Sequence, residues 1–88
     1  MPTISMFYGI LIGMFLGKKE HNPSHFHAYY QEYKGIFNIN SCEMVEGNIL
    51  GKQIKLIIAW AELHKDELLA DWELANNGER PYSIDPLR

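Results

Sequence analysis

The chain predicts an α+β fold, with an antiparallel sheet of four to five strands followed by two C-terminal helices packed on one of its faces. Two observations carry this. Up to residue 47 apolar residues alternate with a period of two between clusters of turn residues, and from residue 52 to 77 they recur at helical spacing. No linker, internal repeat or low-complexity tract divides the 88 residues. The expectation is therefore one domain over 1–88, with 1–47 mainly strands, 52–77 helical and 79–88 an extended tail.

The first strands fall at 3–7 and 10–16. Ile10, Ile12, Met14 and Leu16 point to one side of the second, Leu11 and Phe15 to the other, so this strand is apolar on both faces. Such a strand is central in a sheet or covered at an interface. Residues 1–17 carry no charged side chain, and Gly9, Gly13 and Gly17 recur every four residues, as in a membrane helix-packing stripe. A span needs about 20 apolar residues and a secretory signal needs a basic flank, so neither a membrane segment nor a signal peptide is expected.

The polar turn Gly17-Lys-Lys-Glu-His-Asn-Pro23 ends this region. Strands follow at His25–Tyr30 and 33–40, joined by a hairpin at Gln31-Glu32, and a short strand lies near Met44–Glu46. After Gly51 the period becomes helical. Ile54, Ile57, Ile58 and Ala61 form a stripe that Leu56, Trp60 and Leu63 widen, as expected for a helix packed on a sheet. The polar patch His64-Lys65-Asp66-Glu67 interrupts it, and Asp66 and Glu67 suit the first turn of a second helix, where the dipole favours anions. Leu68, Leu69, Trp72 and Ala75 form the second stripe, which Gly78 ends as a left-handed cap. Pro81 and Pro86 then punctuate a tail whose Ile84 and Leu87 would dock on the body or on a neighbour.

Composition narrows the function classes. With 47% hydrophobic and 12% aromatic residues the chain can offset its conformational entropy, which argues against disorder. Eight Lys and Arg against eleven Asp and Glu, a net charge of -3, give no general pull toward nucleic acid or anionic membrane. Cys42, the single cysteine, has no intramolecular disulfide partner, which fits a reducing cytoplasm. It has no neighbouring histidine either, which argues against nucleophilic catalysis.

Three of the four histidines lie within seven residues, in His21-Asn-Pro-Ser-His25-Phe-His27. On a strand, His25 and His27 project from one face and Phe26 from the other. Three uses compete. His21, His25 and His27 could bind a divalent metal such as zinc, with Glu20, Glu32 or His64 as further donors, although the spacing lacks the pairs typical of zinc sites. His25 and His27 could act as catalytic acid and base on an RNA phosphodiester, with Lys18, Lys19 or Lys34 stabilising charge and Phe26, Tyr29 and Tyr30 contacting a partner or unpaired bases. The same imidazoles could instead hydrogen-bond turn carbonyls and fill space. Trp60 and Trp72 read most simply as core anchors, though a partner interface could use either, and His64 reads as a helix-end residue.

Met-Pro-Thr-Ile-Ser at 1–5, Phe7-Tyr8-Gly9-Ile10, His21-Asn-Pro23, His25-Phe-His-Ala28, Trp60-Ala-Glu-Leu-His-Lys-Asp-Glu-Leu68 and Trp72-Glu73 together resemble domain of unknown function 4160 along nearly the whole chain. That is a family of small bacterial proteins. The resemblance implies a gene often set beside a small protein of the domain of unknown function 2442 type, an arrangement similar to a toxin and antitoxin pair. The family pattern has proline at the position of Ser24, basic residues at those of Met6 and Gly13, and Glu and Gly at those of Tyr29 and Gln31. The lost basic side chains weaken any carry-over of phosphate or RNA contact.

The expected function is thus a cytoplasmic, partner-binding component of a toxin-antitoxin-like gene pair, since the twice-apolar strand and surplus aromatics offer more to bury than two helices cover. Its partner would be the small protein from the neighbouring gene, or a second copy in a homo-oligomer. The alternative is a histidine-dependent RNA-cleaving or metal-binding protein. A DNA-binding regulator is disfavoured by the acidic charge and the lack of a recognition helix.

Overall fold

A computed structural model of the chain describes residues 1–17 and 23–88. Five strands, β1 (Thr3–Phe7), β2 (Ile10–Gly13), β3 (His25–Tyr30), β4 (Tyr33–Asn38) and β5 (Met44–Gly47), precede two helices, α1 (Gly51–Leu63) and α2 (Lys65–Asn76). The strands form one antiparallel sheet in the order of the chain. The α+β class, the sheet and the helix pair are as the sequence predicts. Of the expected turn Gly17–Pro23, Lys18, Lys19, Glu20, His21 and Asn22 lie outside the described residues. Among those described, no helix is long and apolar enough to cross a membrane.

Short turns fix the register. Tyr8 and Gly9, with φ of 50° and 78°, supply the two left-handed residues of a tight type I′ hairpin between β1 and β2. Gln31, with φ 55°, turns β3 into β4 so that Tyr30 pairs with Tyr33 and every earlier residue of β3 finds its partner in step. Two strands are shorter than their alternation suggests. β2 stops at Gly13 because β1 begins only at Thr3, leaving Met14 a single bond to the Pro2 carbonyl. β4 stops at Asn38, whose carbonyl accepts the Cys42 N–H and whose Oδ1 accepts the Ser41 N–H, curling the chain into a turn. Cys42 closes that turn at φ 62° with its side chain buried.

One face of the sheet makes the core. Phe7, Ile10, Ile12, Phe26, Ala28 and Phe37 bury against Ile57, Trp60 and Ala61 of α1 and Leu68 and Ala75 of α2. The Phe26 and Phe37 rings stack at 5.3 Å, and Trp60 lies 5.3 Å from Phe7 and 5.8 Å from Phe26, centroid to centroid. Leu63 and Leu16, counted into apolar stripes from sequence, are exposed. The helical run divides at His64, where φ -121° and ψ 25° depart from helical values. His64 Nδ1 meets Glu67 Oε1 at 2.6 Å, and Asp66 and Glu67 fill the first turn of α2. Lys65 Nζ donates to the Asn40 carbonyl at 2.8 Å, tying the helix junction to the β4–β5 turn.

At the end of α2, Gly78 adopts φ 80°, its N–H bonds the Ala75 carbonyl and the Glu79 N–H bonds the Leu74 carbonyl. This is the Schellman arrangement that glycine permits without a Cβ penalty. The tail then turns back along β1. Ile84 is buried and donates its N–H to Ile4 O at 2.7 Å, and the Asp85 carbonyl accepts the Trp60 indole N–H at 2.8 Å. Of the two docking places expected for Ile84, the chain's own body is the one observed.

Gly47 holds β5 against β4. It pairs with Gly35 at φ 121°, and a Cβ there would meet the Lys34 carbonyl oxygen and the Gly35 Cα inside van der Waals contact. Gly47→Ala should therefore cost about 2–3 kcal/mol, since left-handed strain and a backbone clash add. Urea unfolding of the two proteins side by side measures this, and a loss below about 0.5 kcal/mol would contradict it.

Candidate functional site

Alternation along β3 sends Phe26 and Ala28 into the core and His25, His27 and Tyr29 to the face that carries no helix. The register then decides their neighbours. Tyr29 lies between Leu11 and Lys34, His27 between Gly13 and Ile36, and His25 opposite Asn38, while Ile36 in turn faces Glu46 of β5. On this face Met6 is 60% exposed, Phe15 57% and Val45 62%. Apolar surface is thus uncovered across most of the sheet's width.

The rings on this face touch in series. Phe15 lies edge-on to His27 at 4.7 Å, His27 lies 5.3 Å from His25, and His25 lies 4.9 Å from Trp72 of α2, all between ring centroids. Two shallow clefts flank the row. One, of about 250 Å³, is lined by Phe15, His27, Tyr29, Lys34, Ile36 and Glu46 among others, and the second, of about 380 Å³, by Pro23, His25, Ile36, Asn38, Val45 and Glu46. Both imidazoles therefore border space open to a partner or ligand, and Glu46 borders it with them.

The protonation pattern of His25 follows from geometry. Its Nδ1 lies 3.0 Å from the Pro23 carbonyl oxygen, which only accepts, so Nδ1 carries the hydrogen and Nε2 keeps its lone pair in the neutral ring. The proline turn ahead of β3 thereby aims Nε2 as a base or ligand atom. His27 is held between Phe15 and His25, so the pair is positioned rather than splayed into solvent.

The other candidates separate by face. Phe26, expected to touch a partner or RNA, is instead a fully buried core residue stacked on Phe37. Tyr30 sits on the helix side of the sheet, half-buried against the core, because it lies one residue out of phase with Tyr29. Tyr29 is the aromatic candidate that does face the clefts. His21, a proposed metal ligand together with His25 and His27, lies outside the described residues. Among the described residues no group of three or more His, Cys, Asp or Glu stands close enough to hold a metal ion. His64 pairs with Glu67 and rests against Trp60 at the helix junction. Burial pushes the Cys42 thiol above its ordinary pKa, a hydrogen bond to the Glu62 carboxylate adds to this, and Lys65 opposes it. A neutral, buried thiol is a poor nucleophile.

The sequence assigns no site role to Ile36, Val45 or Glu46, reaches Phe15 only as the second apolar face of its strand, and reads Trp72 chiefly as a core anchor. Part of this was recoverable. Once the hairpin is placed at Gln31-Glu32, Ile36 must oppose His27 and Lys34 must oppose Tyr29. Glu46 gave no such signal, because the register of β5 shifts at a bulge beside Ile36.

Long-range ¹H–¹⁵N correlation spectra should show neutral His25 protonated at Nδ1. Ser24→Pro would stiffen the turn and retain this tautomer, while a spectrum with Nε2 protonated would remove the Pro23 bond from the site's geometry.

The family model described as Domain of unknown function (DUF4160) matches residues 9–73. That range runs from the β1–β2 turn into α2 and takes in the whole ring row. No curated protein and no solved structure matches the chain.

Proposed function

Because the chain belongs to the family of domains of unknown function DUF4160, we propose that it is the partner-binding component of a toxin-antitoxin-like gene pair, engaging a small protein through the helix-free face of its sheet. The observation that carries this reading is the uncovered surface around Met6, Phe15, Val45 and the imidazole pair, which is apolar at its centre and edged by Lys34 and Glu46. Interfaces combine an apolar, aromatic-rich centre with a polar rim in this way. The sheet edges are less suited to free association, since β1 is lined by the chain's own tail and β5 is short, bulged and charged at Glu46. A second copy of the chain is the competing occupant of the same face.

A second reading is histidine-dependent cleavage of RNA. It is favoured by the fixed Nδ1–H of His25, the neighbouring His27 ring and Lys34 across from Tyr29, which together put a base, an acid and a cation on one surface. The acidic net charge weighs against it.

Phe15→Glu and Val45→Glu test the first reading. Both residues are exposed, so each change should alter stability by less than about 0.5 kcal/mol. The double variant should lose at least about a hundredfold in affinity for the neighbouring gene's product, measured by calorimetry. Unchanged binding would move the interface elsewhere, and dissociation of a dimer in sedimentation would make the occupant a second copy. For the second reading, bulk RNA should be lost on inducing the protein alone and preserved with a folded His25→Ala/His27→Ala variant, whereas equal RNA integrity in both would end it.

A further inference from the structure

The C-terminal tail is recognised in an unusual proportion through its main chain. Tyr82 donates its backbone N–H to Asp71 Oδ1 at 2.9 Å, Ile84 donates its N–H to Ile4 O at 2.7 Å, and Asp85 offers its carbonyl to Trp60 Nε1 at 2.8 Å. Ile4 is able to reach outward because the irregularity between Thr3 and Ser5 leaves it out of the β1–β2 pairing. The side chains matter less. Ile84 and Pro81 are buried, while Tyr82 is 76% exposed. Three elements share this recognition, Asp71 of α2, Ile4 of β1 and Trp60 of α1, so the tail lies in a groove that reads the main chain of an extended segment and holds one branched apolar side chain.

We propose that the groove formed by the outer edge of β1, Trp60 of α1 and Asp71 of α2 is a peptide-accepting interaction surface, closed in cis by residues 82–85 and able to take an extended peptide segment of a partner protein in their place. The segment would carry a branched apolar residue where Ile84 sits, flanked by free backbone donors. This surface lies apart from the helix-free face and does not rest on the function proposed for that face.

The tail is built to be displaced because its docking closes over an unsatisfied charge. Asp71 is 2% exposed, and its Oδ2 has no protein partner among the described residues. Desolvation raises the Asp71 pKa above the ordinary value, the Tyr82 N–H opposes this, and Glu67 one turn earlier on α2 adds to the rise. With the tail released, water reaches the carboxylate and the pKa returns toward normal. The docked form therefore holds a proton that the open form gives up, and docking weakens as pH rises through the interval between the two values. Acid closes the groove and rising pH loosens it.

Hydrogen exchange and peptide binding on the full chain test this together. Tyr82→Pro removes the N–H given to Asp71 while sacrificing an exposed side chain, and Asp71→Asn keeps an acceptor without the charge. In the wild type, protection of the Ile84 amide, relative to the β2–β3 amides, should fall as pH rises above the ordinary carboxylate range of about 4. Asp71→Asn should flatten that slope and raise the protection. Tyr82→Pro should lower it at least about tenfold, and a fluorescein-labelled peptide of residues 79–88 should bind that variant at least about tenfold more tightly than wild type, since apparent affinity follows the fraction of open grooves. If Ile84 protection is indifferent to both substitutions, Asp71 is no latch and the proposal fails. If Tyr82→Pro opens the tail yet binds the peptide no better, the groove does not accept peptides and the proposal fails equally.

Discussion

Trp60 is the residue on which the parts of this fold depend. Its indole fills the space between α1 and the sheet, touching Phe7 of β1 and Phe26 of β3, and it is fully buried. An indole buried to that extent must place its N–H, and the partner is the carbonyl of Asp85 in the tail. Strands, helix and tail are thereby tied through one side chain. Burial of so large a ring is worth several kcal/mol, of the order lost when Trp is truncated in other cores, about 3–5 kcal/mol.

A chain of this length has few residues to spend on burial, and it spends them on one face. The helices cover Phe7, Ile10, Ile12, Phe26 and Phe37, while Met6, Phe15 and Val45 stand exposed. The two faces of β3 therefore have opposite fates with the same backbone. Phe26 is core while His25 and His27 are half-buried on the opposite face because a strand alternates, and α2 meets that face through Trp72 at His25. The candidate site follows from that economy.

Within the site, neighbouring groups fix the orientation of the imidazoles. The proline turn presents a carbonyl to His25 Nδ1, and the aromatic neighbours Phe15 and Trp72 hold the two imidazoles in a row. Glu46 and Lys34 bring both signs of charge to the cleft margins. Cys42 is an inert thiol beneath the β4–β5 turn, and Asp71 is a buried carboxyl under the tail.

From the sequence by itself came the strands, the helices and their order, because these rest on local periods and turn chemistry. Alternation in His25–Tyr30, the Gln31-Glu32 turn and the helix stop at Gly78 are each decided within a few residues. The family likeness and the shared face of His25 and His27 were legible for the same reason. Strand ends were less so, since β2 stops where its partner β1 begins and β4 stops where Asn38 captures the turn. Only the tertiary structure put Trp72 against His25, Glu46 beside Ile36 and Asp71 beneath Tyr82. Those contacts join residues far apart in the chain, and their formation depends on how helices, sheet and tail share one limited core, which no local pattern records.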